Sequence, residues 1–65
     1  MTERLKTRDA KEDGRYYSGE KCPKSGTYGQ WSDASGQYAG TSYDRYVYAG
    51  DPFPPSLNNH HFRLK

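Results

Sequence analysis

Three residues of this chain carry the most reactive side chains: the single cysteine, Cys22, and the adjacent histidines His60 and His61. A structural zinc site needs four ligands, and a catalytic one needs three ligands and a water. Neighbouring residues of a strand point to opposite faces, so His60 and His61 cannot both bind one ion without a kink. The sequence therefore predicts no metal site and no cofactor, and it predicts that both histidines are exposed at the end of a strand.

Cys22 could instead act as a nucleophile. It lies between Lys21 and Lys24, and neighbouring cations favour the reactive thiolate. The spacing places no acid or base beside it, however, and the chain has no Gly-x-Ser-x-Gly elbow. A chain of 65 residues also leaves little concave surface from which water could be excluded. We expect Cys22 to be a packing or exposed thiol, and we expect no catalytic residues and no enzyme activity.

Aromatic rings beside basic residues are a stronger signal. The chain has seven Tyr, one Trp and two Phe, but a single Val and no Ile. Such rings could stack on single-stranded nucleic acid, anchor a protein partner, or replace the missing aliphatic side chains in the core. The sequence predicts a candidate binding surface made of these residues: Trp31, Tyr38, Tyr43, Arg45, Tyr46, Tyr48, Phe53 and Arg63.

The composition divides the chain into two parts. Residues 1–14 hold four basic and four acidic side chains and almost no apolar ones, so we expect a disordered or weakly helical arm. Residues 15–65 hold the aromatic rings and form the predicted domain, with six basic and four acidic side chains. The net charge of +2 is too small to indicate nucleic-acid binding by itself. A single cysteine excludes an internal disulfide and favours a cytoplasmic location, and no apolar run is long enough to span a membrane.

Glycine, proline and asparagine divide residues 15–65 into short segments, and this pattern indicates strands joined by turns. We predict strands at residues 16–17, 27–32, 37–43, 45–49 and 60–64, a type I turn at 33–36 and a polyproline-like loop at 50–56. In this interpretation Gly40 forms a bulge and Phe53 plugs the core. The predicted fold is mainly β, an antiparallel meander or SH3-like barrel of four to five short strands.

Two short motifs resemble those of the YjzC-like family of very small bacterial proteins. The first runs from Gly19 to Tyr28 with the pattern Gly-x-x-x-Pro-x-Ser-Gly-x-Tyr, and the second, AGDPFPP, runs from Ala49 to Pro55 before a final aromatic strand. The resemblance covers residues 18–65. It implies a compact bacterial cytoplasmic β module, and it carries over no catalytic residues.

Together these observations favour a small non-enzymatic module that binds a protein partner. The alternative is weak binding of single-stranded RNA through exposed tyrosines and nearby cations, which include Lys21, Lys24, Arg45 and Arg63. The identity of the partner and the oligomeric state stay open at this point, and no membrane partner is expected.

Overall fold

The part of the chain that the computed structural model describes, residues 14–65, is built around a three-stranded antiparallel sheet. Its strands are β1 (Gly26–Ser32), β2 (Arg45–Val47) and β3 (His60–Leu64), and a 3-10 turn covers Thr41–Tyr43. The prediction of a mainly β fold is confirmed. The sheet is open and has three strands, so the predicted barrel of four to five strands is not confirmed. The predicted arm lies outside the described residues except for Gly14. No helix in residues 14–65 has the length and apolarity to cross a bilayer.

The order of the strands differs from the predicted meander. β1 lies in the centre, with β2 on one side and β3 on the other. The predicted return strand at residues 37–43 is wrong: within it only Tyr38 forms a bridge to β1, opposite Trp31. Gly40 then adopts a φ of 112° and leads into the 3-10 turn instead of forming a bulge. The extended conformation is thereby interrupted, and the partner strand for β1 comes from residues further along the chain.

A turn follows β1 at residues 33–35, but it is not the predicted type I turn, because its hydrogen bond closes five residues, from Gly36 to Ser32, instead of four. Gly36 has a φ of 77°, which favours glycine, and its N–H donates to the carbonyl of Ser32 over 2.9 Å. The Ser32 hydroxyl accepts the N–H of Ser35 over 3.2 Å. An aspartate at the first position of a turn commonly supports it, but here the carboxylate of Asp33 contacts His61 instead.

The core lies on one face of the sheet and is formed mainly by rings. Tyr28 of β1 and Phe62 of β3 lie 4.9 and 5.3 Å from the ring of Phe53, which comes from the proline-rich loop. Tyr16 stacks on Phe53 at 5.1 Å and exchanges two backbone hydrogen bonds with Phe62. The predicted strand at residues 16–17 is therefore a single bridge. Phe53 is only 2% exposed, which confirms it as a core plug and removes it from the predicted surface.

A short backbone ladder holds Phe53 in this position. Its N–H donates to the carbonyl of Glu20, and its own carbonyl accepts the N–H of Gly19. Further along, Cys22 exchanges bonds with the carbonyl of Asp51 and the N–H of Gly50, each over 2.8 Å. The two motifs of the sequence thus lie against each other, and the proline-rich loop is fixed at one end of the core.

Gln30 is a buried polar residue on the core face of β1. Its Nε2 donates to the carbonyl of Tyr43 over 3.0 Å, and its Oε1 accepts the N–H of Leu57 over 2.8 Å. Both ends of the amide are therefore satisfied, as a buried amide requires. The side chain joins the connection that precedes β2 to the one that precedes β3.

Candidate binding surface

The face of the sheet opposite the core carries a second group of rings. Residues directly opposite each other in an antiparallel pair point to the same side, so Arg63 shares the side of its β1 partner, Gly29, and with it that of Trp31. Tyr38 joins them through its bridge to Trp31. We call the following residues the outer cluster: Trp31, Tyr38, Asp44, Arg63 and Lys65.

In the outer cluster, two aromatic rings contact each other and each has a cation beside it. The centroids of Trp31 and Tyr38 lie 4.9 Å apart with an interplanar angle of 39°. The Arg63 guanidinium lies 6.0 Å from the Trp31 ring, and the Lys65 ammonium lies 4.9 Å from the Tyr38 ring. Cations at these distances interact favourably with the negative faces of aromatic rings. The rings are therefore held against one another and flanked by positive charge.

Gly29 explains how Tyr38 comes so close to β1. A Cβ atom at position 29 would lie 2.8 Å from Cε1 of Tyr38, 3.0 Å from the Trp31 ring and 3.1 Å from a carboxylate oxygen of Asp44. Real Cβ atoms essentially never approach to 2.8 Å and only occasionally to 3.0–3.1 Å, so any side chain at this position would have to displace the Tyr38 ring. The absence of a side chain at this position therefore shapes the outer cluster.

A hydrogen-bonded triad fixes the polar edge of the outer cluster. Asp44 accepts from the Tyr38 hydroxyl and from the Lys65 ammonium, each over 2.7 Å, and Lys65 also donates to the Tyr38 oxygen over 2.8 Å. The bond from Lys65, followed by the bond from Tyr38, holds the pKa of Asp44 below its ordinary value. The bond to Asp44 raises the pKa of Lys65 in turn. Both groups are thus charged over the whole neutral range.

Tyr46 and Tyr48 form a separate pair at the free edge of the sheet, which we call the edge pair. Their rings meet in a T-shaped arrangement at 5.0 Å. They are 59% and 63% exposed, more than any other large apolar side chain in residues 14–65. The edge pair is therefore a patch that the rest of the described chain does not cover.

The structure brings together some of the predicted surface residues and separates others. Trp31, Tyr38 and Arg63 meet in the outer cluster, and Tyr46 and Tyr48 lie beside each other at the edge. The remaining three are placed elsewhere: Phe53 in the core, Tyr43 in the 3-10 turn, and Arg45 opposite Tyr28, with its guanidinium on the carbonyls of Ser42 and Asp44.

Two members of the outer cluster are not among the predicted residues. Lys65 lies two positions after Arg63, directly after the end of β3, and its N–H continues the pairing with β1, so both cations lie on one side of the sheet. The spacing was a usable signal for Lys65. Asp44 follows the 3-10 turn, and its position depends on how that turn folds, so the sequence alone carried no comparable signal for it.

The prediction that His61 is exposed is wrong. Its side chain is 1% exposed, and its Nδ1 lies 2.6 Å from a carboxylate oxygen of Asp33. Tyr17 donates its hydroxyl to the same oxygen over 3.4 Å and lies over the imidazole with centroids 6.1 Å apart. The turn after β1 brings Asp33 next to His61 of β3. The alternation of side chains along β3 does not reveal this contact. In residues 14–65 no group of three or more His, Cys, Asp or Glu side chains could hold a metal ion.

Cys22 is a buried thiol, one of the two expected alternatives. Its sulfur lies 3.1 Å from the carbonyl of Lys24 and 3.5 Å from the hydroxyl of Tyr28, which itself donates to that carbonyl over 2.6 Å. Burial, followed by the hydrogen bond to Cys22, raises the pKa of the Tyr28 phenol. The phenol therefore stays neutral and serves as a hydrogen-bond donor inside the core.

Comparisons with known proteins add no relative to this description. No family model matches the chain, and no curated protein or solved structure is found to be similar to it. The resemblance to the YjzC-like family accordingly stays a prediction from the two motifs. What the chain binds has to follow from the chemistry of the outer cluster and the edge pair.

Proposed function

We propose that this chain is a small non-enzymatic module that binds a protein partner through the outer cluster. One observation carries this proposal: Trp31, Tyr38 and Arg63 lie together on the side of the sheet that faces away from the core. Trp, Tyr and Arg are the residue types that contribute most often to the binding energy of protein interfaces. Their combination on one face supports an anchoring role.

The rigidity of the outer cluster also supports this role. Trp31 belongs to the central strand, which has a hydrogen-bonded neighbour on each side. The triad of Tyr38, Asp44 and Lys65 fixes the second ring from two directions. A surface that is already ordered loses less conformational entropy on binding, which favours affinity.

The charges of the outer cluster indicate which groups a partner should present to it. Lys65 is already paired with Asp44, whereas Arg63 has no ion pair among the described residues. A guanidinium of this kind binds a carboxylate with two parallel hydrogen bonds. The partner that fits best is a protein segment with an apolar or aromatic side chain for Trp31 and a carboxylate for Arg63.

Weak binding of single-stranded RNA is the second candidate. Rings on a sheet with cations beside them are the usual platform for unpaired bases, and the outer cluster has this arrangement. The carboxylate of Asp44 argues against it, because it neutralises Lys65 and would repel a phosphate backbone. The protein partner is therefore the preferred assignment.

The setting that we propose for this module is the bacterial cytoplasm. Its only cysteine is a free thiol in the core, which suits a reducing compartment. The bridges at Tyr16 and Tyr38 mark positions at which further strands could extend the sheet towards the SH3-like barrel that the sequence predicts. Both statements rest on the YjzC-like motifs and on the predicted strands.

A charge reversal with a matched control tests the proposal. Arg63→Glu should remove the captured partner from an immobilised chain, because the carboxylate of the partner then meets a like charge. Lys21→Glu reverses the charge of an exposed residue whose backbone pairs with Pro52, outside the outer cluster, and should retain the partner. Equal retention by both variants would contradict the protein proposal.

Fluorescence anisotropy of a labelled oligouridine at 50 and 200 mM salt tests the alternative, RNA binding, since phosphate-driven binding weakens steeply with salt.

A further inference from the structure

The free edge of β2 presents unpaired backbone groups to solvent. The N–H of Lys65 donates to the carbonyl of Thr27 over 3.0 Å, so the backbone groups of Thr27 face β3. Tyr46 lies opposite Thr27 on β2, and the two therefore form a non-hydrogen-bonded pair. In such a pair the N–H and the carbonyl of Tyr46 point away from β1. They form a donor and an acceptor at the edge of the sheet.

The carbonyls on both sides of Tyr46 are occupied. The carbonyl of Asp44 accepts from the Arg45 guanidinium over 2.7 Å, and the carbonyl of Tyr48 accepts the N–H of Asp51 over 3.0 Å. Among the outward carbonyls of residues 44–48, only that of Tyr46 therefore has no donor, and the N–H of the same residue can donate beside it. The two exposed rings of the edge pair lie next to this opening.

We propose that this edge binds a second copy of the chain, with the two β2 strands antiparallel about a two-fold axis at Tyr46. In this register Tyr46 exchanges both of its backbone hydrogen bonds with the same residue of the second copy. Arg45 then lies opposite Val47 of the second copy, and Asp44 lies opposite Tyr48. No like charges face each other, so the edge is complementary to itself, as a two-fold interface requires.

The contact would join the two sheets into one sheet of six strands. The four rings of the two edge pairs would bury roughly 500 Å² if their exposed parts were covered, from about 150–250 Å² per aromatic side chain. A stable complex needs about 1,200 Å² or more. The dimer is therefore weak and forms in the high-micromolar to millimolar range. Of the outer cluster it involves only Asp44 and not the proposed anchors Trp31, Tyr38 and Arg63, so a failure of the dimer and a failure of the proposed function can be told apart.

Sedimentation equilibrium on the full chain, from about 20 μM to 1 mM, tests this inference, since the range spans that expected for an interface of this size. The average mass of the natural chain should rise from 7.5 kDa towards twice that value. Tyr46→Lys and Tyr46→Glu should each stay monomeric, because identical charges then meet at the axis. An equimolar mixture of the two variants should associate again. The same pair of substitutions at Tyr43, outside the edge, should leave the association of the natural chain unchanged.

A second pair of variants keeps the test valid if substitution at Tyr46 disturbs folding, which amide spectra would reveal. Tyr48→Lys places a cation opposite Asp44 of the second copy and should tighten association about two- to fivefold, whereas Tyr48→Asp should weaken it. Loss of association in both variants would indicate non-specific contact of rings and would overturn the register. A natural chain that is monomeric at 1 mM, or a mixture of Tyr46 variants that fails to associate, would overturn the dimer itself.

Discussion

The two faces of the sheet use the same residue types for different purposes. On the core side, Tyr28 and Phe62 contact other rings and are fully buried. On the outer side, Trp31 and Tyr38 contact each other and two cations. Both groups start from one strand, because Tyr28 and Trp31 are an odd number of positions apart on β1. Position along the strand thus decides which face each of these rings occupies. Burial depends also on what covers that face, because His61 lies opposite Trp31 and is nevertheless buried.

The hydroxyl groups show the same difference. Tyr28 donates to the carbonyl of Lys24 and thereby hides its polar atom inside the core. Tyr38 donates to the carboxylate of Asp44 and so places charge beside the outer rings. A tyrosine is suited to either environment because its ring is apolar and its tip is polar.

The largest expected effect comes from breaking the core side. Phe53→Ala removes the ring that touches Tyr16, Tyr28 and Phe62, and it should lower the free energy of unfolding by about 3–5 kcal/mol. A domain of this size has little stability to spare, so the variant should be largely unfolded. Tyr48→Ala removes an exposed ring and should cost less than about 0.5 kcal/mol. Urea denaturation measures both, and equal losses would contradict the difference between the faces.

A smaller effect is expected from Gly29→Ala, which should disturb only the outer side. The new methyl group would displace Tyr38, whose ring is exposed and can move, so the stability should change by no more than about 1 kcal/mol. Trp31 is the only tryptophan, and its fluorescence should shift to longer wavelength as Tyr38 leaves. Gly26→Ala is the matched control, since its methyl group meets Leu64 instead. An unchanged emission spectrum in Gly29→Ala would show that Tyr38 does not cover Trp31.

The smallest expected effect is a local response to acid in the triad. The pKa of Asp44 is lowered in the folded chain, so its contribution to stability is complete above the ordinary aspartate pKa of about 4 and is lost as the pH falls through the lowered value. Protonation then releases Lys65 and Tyr38. Carboxyl chemical shifts and Trp31 fluorescence should report one step below about pH 4. Asp44→Asn should lack this step, and its persistence there would assign it to another carboxylate.

Much of the sheet could be predicted from local patterns. β3 has the predicted range of residues, β1 is one residue longer, and β2 is two residues shorter at its end. The extended pattern at residues 37–43 misled because Gly40 turns the chain and because Gln30 binds the carbonyl of Tyr43 from inside the core. The first effect is local to the predicted strand, whereas the second joins residues 13 positions apart and is not visible in a local pattern.

The binding surface could be predicted only as a set of candidates. Aromatic and basic residue types identified Trp31, Tyr38 and Arg63, but the same criterion also selected Tyr43, Arg45 and Phe53, which lie elsewhere. The sequence placed Phe53 both in the core and on the surface, and the backbone ladder with Gly19 and Glu20 fixes it in the core. The bond between Asp33 and His61 likewise requires the fold of the turn after β1.

The amide of Gln30 makes two distant connections depend on each other. One end of this side chain anchors the segment at Tyr43, and the other end anchors the segment at Leu57, so neither can open without leaving a buried polar atom unsatisfied. Local unfolding of the two segments should therefore occur as one cooperative event. In hydrogen exchange, the amides around both anchors would share a single opening free energy, although about a dozen residues of sequence separate them.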